Sequence, residues 1–349
     1  MPAVRKHGSS STHPPRPVLR LAVLALFALA LLLPSTVAAA TEPKKVVIIR
    51  YPIEPNHFTP LVEAYQETMA QRGYRSGREV IYIDILTTTA EQNSIPEVIA
   101  AVEQYREQAD LFITSGWVSM AARNILQHSE VPQLFVPVLD SVALHMLPSL
   151  HEPPNTNLSG LYLMYPPEKI LRLARLLMPE LTDYAFVYDS RIPADKSFFQ
   201  AYRQLPAEAR YGINIHYLDL AQGLEPVMNT LQQGTIGAYG GIVGYLPHRR
   251  RLAASELPVI TAFTPDIEVE DISDFTAIDN TLAGLFNPFS YTGRQAAEIS
   301  ADLFDGQTDI TAVIPRPARQ MAFIDFRNAE KLAISIPFAA LEAVDMVVR

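Results

Sequence analysis

Two structural periods alternate along most of this chain of 349 residues. Short apolar runs rich in β-branched residues, such as residues 45–49, predict buried strands. Longer segments with one apolar face, such as residues 60–72, predict helices. Strand followed by helix, repeated many times, is typical of parallel sheets that carry helices on both faces. The alternation therefore predicts an α/β fold.

A turn-rich break at residues 151–157 (HEPPNTN) divides the alternation into two series. Two strand–helix series predict two doubly wound parallel-sheet lobes, and we expect three crossovers to join them. Extended stretches at 158–163, about 272–279 and 312–325 are the candidates for these crossovers. The first lobe is predicted to comprise residues 41–158 and 278–312, and the second lobe residues 159–277 and 313–349.

The first forty residues have the composition of a secretory signal peptide. They contain four basic and no acidic residues, an apolar run at 21–33 and small residues at 38–40. An apolar run of this length is shorter than the ~20 residues that a membrane-spanning helix needs. We therefore expect cleavage near Ala40 and a periplasmic mature protein; an uncleaved N-terminal anchor is the alternative.

Charge and cysteine content exclude several classes of function. The formal net charge is −9, and cleavage of the basic leader would make the protein more acidic. An acidic protein has no electrostatic reason to bind nucleic acid or an anionic membrane surface. The absence of cysteine excludes disulfides, thiolate metal sites and the lipid-bearing cysteine of a lipoprotein. We expect a monomer without metal or cofactor.

The sequence contains none of the common catalytic motifs. It has no G-x-S-x-G elbow, P-loop or H-E-x-x-H motif, and its glycines at 234–241 do not follow the dinucleotide fingerprint. The acidic run at 268–274 lacks the glycine and spacing of a calcium loop. The basic run at 248–251 predicts a solvated helix face, with a docking or anion contact as the alternative. These absences do not exclude an enzyme, but they leave it without a nominated nucleophile or base, and we expect a chain that is not an enzyme.

Ligands of open parallel sheets bind at the carboxyl ends of the strands. Helices begin there, and their free amides and dipoles favour an anion. The loops that follow the predicted strands therefore nominate ten ligand-binding candidates. They are Tyr51, Phe58, Ser115, Gly116, Trp117, Asp140 and Ser141 in the first series and Asp189, Tyr245 and Asp266 in the second.

Ser115 and Gly116 are the strongest of these candidates. A hydroxyl and bare amides at a helix start can hold a carboxylate, although an ordinary strand–helix turn has the same sequence. Trp117, the only tryptophan, can stack on a planar ligand or fill a half-buried packing position. Arg50 and Arg191 are candidate counter-charges for a carboxylate, with a structural or solvated role as the alternative.

Several stretches together have a familiar layout. They are the helix–G-Y-x-x-G-x-x-V–strand segment at 58–85, the strand and loop at 110–117, the V-P-x-x-F-V segment reaching Asp140, the N-L-S-G passage at 157–160, the G-R-Q-A-A helix from Gly293 to Gly306, and the N-A … I-S-I-P … A-V-D ending at 328–345. In this order and spacing they resemble a family of ABC-transporter substrate-binding proteins that includes binders of tryptophan and tyrosine. Ser141 and Ala333 depart from that pattern, as does the bulky Trp117.

The resemblance implies a type I periplasmic-binding-protein-like fold. It also implies a periplasmic solute-binding component of an ABC uptake system, which closes on an amino acid or related small organic acid between its lobes. The closed form would then dock on a membrane permease. A ligand-binding sensory subunit of a membrane receptor and an exported enzyme remain the alternatives.

Overall fold

The predicted strands form two separate sheets in the computed structural model, which describes residues 42–89, 92–142 and 144–349. The predicted signal peptide and its cleavage site lie outside these residues. The strands are β1 (Lys44–Arg50), β2 (Val80–Leu86), β3 (Leu111–Thr114), β4 (Gln133–Leu139), β5 (Leu158–Leu163), β6 (Asp183–Tyr188), β7 (Asn214–Asp219), β8 (Ala238–Gly240), β9 (Val259–Ala262), β10 (Thr281–Phe286), β11 (Arg316–Pro317), β12 (Met321–Asp325) and β13 (Met346–Val348).

Helices connect most of these strands. They are α1 (Thr59–Gln71), α2 (Ile95–Tyr105), α3 (Val118–Leu126), α4 (Pro167–Leu177), α5 (Pro193–Gln204), α6 (Leu224–Gln232), α7 (Arg249–Leu252), α8 (Ile272–Thr276), α9 (Phe289–Phe304), α10 (Phe326–Lys331) and α11 (Phe338–Leu341). Within the described ranges, no helix has both the length and the apolar character that a membrane crossing requires.

The first sheet has the strand order β11-β5-β4-β3-β1-β2, and its pairs are parallel. Alternate side chains of β1 enter different cores, since successive side chains of a strand point to opposite faces. Val46 and Ile48 pack with α1 and α9, whereas Val47 and Ile49 pack with α2 and α3. The buried apolar run of β1 therefore reflects helices on both faces of the sheet.

The second sheet has the order β13-β12-β10-β9-β8-β6-β7. It is parallel apart from the antiparallel pair β10–β12. The reversal follows from the chain path, because β12 enters this sheet from the first lobe whereas β10 runs toward that lobe. Tyr184 and Phe186 of β6 pack with α4 and α5, and Ala185 and Val187 pack with α6.

The chain passes between the sheets three times. β5 belongs to the first sheet, and the following α4 packs on β9 and β10. β10 belongs to the second sheet, and α9 returns to pack on α1. The passage from β11 to β12 completes the set, so the crossovers follow residues 163, 286 and 317, later than the sequence-based boundaries 158, 277 and 312.

The prediction of an extended crossover at about 272–279 is wrong. This stretch contains α8, and the crossover strand β10 begins only at Thr281. All six residues of β10 are buried, so its sequence shows no alternation that would distinguish it from a buried helix. The helix α9 after it packs closely on α1. Gly293 allows this close approach, since any side chain there would collide with the carbonyl oxygen of Leu61.

Candidate functional site

A cavity of about 930 Å³ lies between the lobes, at the carboxyl ends of the strands of both sheets. The first lobe contributes residues after β1 and β3, the end of β4, and the facing sides of α2 and α3. The second lobe contributes residues 192–194 after β6 and Thr264 after β9. Both halves of the molecule therefore contribute walls to one space.

A second cavity, of about 570 Å³, opens near the amino ends of the first sheet. Lys44, Asp110 and Asn157 are among the residues that line it, together with the end of α9. These elements all belong to the first lobe. A molecule bound there would touch one lobe only, so this cavity offers no coupling between lobes.

Four aromatic rings form a continuous series along the interlobe cavity, which we call the aromatic row. The ring centroids of Trp117 and Tyr51 are 5.7 Å apart, and those of Tyr51 and Phe58 are 5.1 Å apart. Phe58 stacks on Phe289 at 4.9 Å, and all four residues line the cavity. The row joins three elements distant in sequence into one wall suited to a planar ligand.

The turn after β3 approaches this row closely. Gly116 has a φ of 51°, and a Cβ atom there would lie 2.7 Å from Cε1 and from the hydroxyl oxygen of Tyr51. The amides of the turn are engaged by the sheet: Ser115 N–H donates to Ile49 O at 3.0 Å, and Gly116 N–H donates to Pro137 O at 3.1 Å. These two amides are therefore not free to hold a carboxylate.

Apolar side chains of α2 and α3 form the outer part of the cavity. Ile99 and Met120 line it and are 41% and 38% exposed. Ile95 and Ile125 also line it. The helical period of the sequence cannot distinguish such side chains from those that face the core.

Asp195 holds the wall of the second lobe in place. It lies in the first turn of α5 and is fully buried. Its carboxylate accepts hydrogen bonds from the amides of Asp189 (2.8 Å), Val243 (3.0 Å) and Gly244 (2.9 Å). Burial raises the pKa of Asp195. Through these bonds it fixes the loops after β6 and β8, and thereby residues 192–194 at the cavity.

A carboxyl group of the second lobe reaches the first helix of the first lobe. Phe58 N–H, just before α1, donates to Asp266 Oδ2 at 2.5 Å. Beside it, Asn56 Nδ2 donates to Asp271 Oδ2 at 2.8 Å. Burial raises the pKa of Asp266 to about 7, and the neighbouring carboxylates of Glu268 and Asp271 add to this effect. Asp266 thus caps a helix of the opposite lobe.

A further hydrogen bond crosses between the lobes at the cavity. Ser197 of α5 donates its hydroxyl to Asp140, which follows β4. Within the second lobe, Tyr165, just after the first crossover, donates its hydroxyl to Phe263 O at 2.6 Å. The contacts of Ser197 and Asp266 connect the two lobes.

Only some of the ten predicted residues lie at the interlobe cavity in the structure. Tyr51, Phe58, Gly116 and Trp117 line the interlobe cavity. Asp140 and Asp266 connect the lobes, as described above. The remaining four are buried away from the lining: Ser115 beneath the turn, Ser141 in the turn after β4, Asp189 beside Arg191, and Tyr245 in the core of the second lobe.

Cationic residues singled out from the sequence have carboxylate partners. Arg50 donates from Nε and Nη2 to both oxygens of Asp84, at 2.8 Å each. Arg191 pairs with Asp189 at 2.5 Å. The prediction of a solvated face at 248–251 is wrong for Arg249, which is buried and pairs with Asp279 at 2.7 Å.

Comparisons with known proteins show the fold. No family model matches the sequence, and no curated protein matches it. The structure is similar to an ABC domain from Streptococcus pneumoniae solved with L-Trp (TM-score 0.69, 13% identity, 88% of this chain and 100% of the other). It is similar to a ligand-free, open substrate-binding protein with adhesive properties from Clostridium difficile (0.69, 16%, 87% and 99%). A periplasmic ribose ABC transporter protein from Conexibacter woesei also matches (0.58, 14%, 88% and 99%).

These similarities confirm the predicted fold class. The chain has two α/β lobes with largely parallel sheets in the arrangement of type I periplasmic binding proteins. The structures found include a substrate-binding protein. At these identities the likeness concerns the fold, so the function has to be argued from the site of this chain.

Proposed function

We propose that this protein is the solute-binding component of an ABC uptake system and closes its two lobes around a small molecule in the interlobe cavity. The observation that carries the proposal is the cavity of about 930 Å³ with walls from both lobes. Its volume lies within the range of ~300–1,000 Å³ typical of small-molecule sites. A ligand that touches both lobes stabilises the arrangement in which they meet.

We place this protein in the periplasm, with a membrane permease as its partner. Support comes from the composition of the first forty residues, which is typical of a secretory signal peptide. A sensory role at a membrane receptor would use the same cavity and the same closure. Neighbouring genes separate the two roles: a permease and an ATPase favour uptake, and a lone receptor favours sensing.

The amino acid or small organic acid predicted from the sequence fits the site in one respect. The aromatic row offers a stacking surface for a planar side chain. A carboxylate, however, would need donors other than the amides of Ser115 and Gly116, which the sheet already uses. The nature of the ligand is therefore argued separately below.

We expect ligand binding to change both the emission of Trp117 and the distance between the lobes. Because the chain has no cysteine, the exposed Gln104 of α2 and Gln200 of α5 can each be replaced by cysteine and labelled for energy transfer. A screen of amino acids, nucleobases and small aromatic compounds by thermal shift identifies the ligand. A ligand at a hundredfold excess over its Kd should add about 2.7 kcal/mol to stability.

A matched variant provides the control. In a Trp117→Phe, Phe338→Trp double variant, the only tryptophan is moved to an exposed position on α11 (Phe338 is 73% exposed). Its emission should not respond to a ligand that changes the emission of Trp117. A stabilising ligand that alters neither Trp117 emission nor energy transfer would contradict closure around this cavity.

A further inference from the structure

We propose that the ligand of the interlobe cavity is an uncharged, mainly apolar molecule with an aromatic ring, and not a metabolite with a carboxylate or an ammonium group. This inference rests on the proposed function and specifies its substrate class. It follows from the chemistry of the cavity walls and from the partners of the charged groups around them.

The cavity walls are mainly apolar, and the polar side chains among them, which include Asn93, Asn124 and Thr264, are uncharged. The aromatic row forms one side of the cavity, and Ile99 of α2 and Met120 of α3 form another. Residues 192–194 (Ile-Pro-Ala) form the wall on the side of the second lobe. Among the described lining residues, no side chain carries a formal charge. Between 42 and 349, the residues outside the described ranges are Ala90, Glu91 and Ala143, none of them cationic. An ionised ligand group without a partner is strongly unfavourable in such surroundings.

The two arginines that the sequence nominates as counter-charges for an anionic ligand have carboxylate partners in the protein. Arg50 forms two parallel hydrogen bonds to Asp84 and donates a third to His57 O at 2.5 Å. Arg191 is held by Asp189. Bidentate pairs of this kind are among the stronger ion pairs in proteins. To bind a ligand carboxylate, Arg50 would have to leave its pair, and Arg191 is not among the residues that line the cavity.

Two carboxyl groups of the second lobe lie close in sequence to the cavity wall. Asp195 accepts three backbone amides, and Asp266 accepts the amide of Phe58 through Oδ2, while its Oδ1 has no hydrogen-bond partner among the described residues. Both side chains are fully buried, and neither is among the residues that line the cavity. A ligand ammonium in the cavity therefore meets neither carboxyl group at the wall. Thr264 and Tyr51 line the cavity and carry hydroxyl groups, which suit a neutral polar substituent.

Two matched series of compounds test the inference by calorimetry. The first is indole with indole-3-acetate, tryptamine and tryptophan; the second is p-cresol with 4-hydroxyphenylacetate, tyramine and tyrosine. Ring size is constant within a series and charge varies. We expect the neutral member to bind at least tenfold more tightly than each charged member, a difference of about 1.4 kcal/mol or more.

A charge placed in the wall should shift this preference toward the anionic compound. Met120→Lys adds an ammonium to a position that is already 38% exposed, so folding should tolerate it. This variant should favour indole-3-acetate over indole by at least tenfold relative to the unmodified protein. Ile81→Lys is the matched control, because Ile81 is 39% exposed on β2 and is not among the lining residues; it should leave the preference unchanged.

The outcomes separate the two proposals. Equal or tighter binding of a carboxylate or amino acid member would overturn the ligand class and leave solute binding intact. Failure of all eight compounds to bind at millimolar concentration would also overturn the ligand class, since an apolar aromatic cavity should hold neutral rings at least weakly. The proposed function is decided independently, by the energy-transfer response in the broader ligand screen.

Discussion

Replacing Gly116 with leucine is expected to weaken ligand binding by at least tenfold. The new Cβ would lie 2.7 Å from a ring carbon and from the hydroxyl oxygen of Tyr51, so this side chain has to move. Tyr51 stands between Trp117 and Phe58 in the aromatic row. Its displacement would therefore disturb three of the four rings that line the cavity. Calorimetry with the ligand found by screening measures the effect.

The backbone strain of this substitution needs a control of its own. Gly116 has a positive φ, where a side chain costs about 1–2 kcal/mol. Gly77 also has a positive φ, of 76°, but no atom within 4 Å of its Cβ position. Gly77→Leu should therefore lose similar stability and keep its affinity. If the folded Gly116→Leu protein bound the ligand with unchanged affinity, the turn and the aromatic row would not be part of the binding site.

Replacing Asp266 with asparagine is expected to make the protein more stable above pH 7. The folded protein holds the proton of Asp266 up to a pKa of about 7, whereas an unfolded Asp titrates near ~3.9. A raised folded-state pKa means that this group's contribution is complete below about pH 4 and is lost as the pH rises to about 7. At most, the loss amounts to about 4 kcal/mol.

Asparagine resembles the protonated carboxyl group in shape and stays neutral at every pH. The variant and the natural protein should therefore have similar stability near pH 4. At pH 8 the variant should unfold at a temperature several degrees higher, since each kcal/mol corresponds to about 2–4 °C in proteins of roughly this size. Thermal unfolding between pH 4 and pH 8.5 measures the difference.

A carboxyl group on the surface serves as the comparison for Asp266. Glu63 lies on the exposed side of α1, so Glu63→Gln changes the net charge by the same amount without touching the contact between the lobes. Its profile should run parallel to that of the natural protein. If Asp266→Asn also ran parallel, or were the less stable protein at pH 8, the carboxyl group would not be buried between the lobes as described.

Local pattern was sufficient for much of the secondary structure. Residues 158–163 were predicted as an extended stretch and are β5 with these same limits. Their neighbours are turns or helix starts, so their ends are marked in the sequence. The region around 272–286 lacked such marks: α8 is short and β10 is buried throughout, so the crossover was predicted in the wrong place.

From the sequence, the candidate site could be predicted only for residues that directly follow a predicted strand. Tyr51 and Gly116 follow strands of the first sheet, and the general location of ligands at carboxyl strand ends led to both. Phe289 was not found, because it starts a helix that returns from the second sheet. Ile99 and Met120 were not found either, since their exposure depends on how α2 and α3 face the cavity.

The alternation of apolar residues determined the α/β class, the two lobes and the loops near the strand ends, because the period of a strand or helix is a property of neighbouring residues. Only the tertiary structure decided which groups are available to a ligand. Arg50 was a candidate counter-charge for a ligand, yet it is paired with Asp84, and Asp266 accepts a hydrogen bond from the amide of Phe58 in the other lobe. Phe58 and Asp266 are separated by 208 positions in sequence, so no local pattern records their contact.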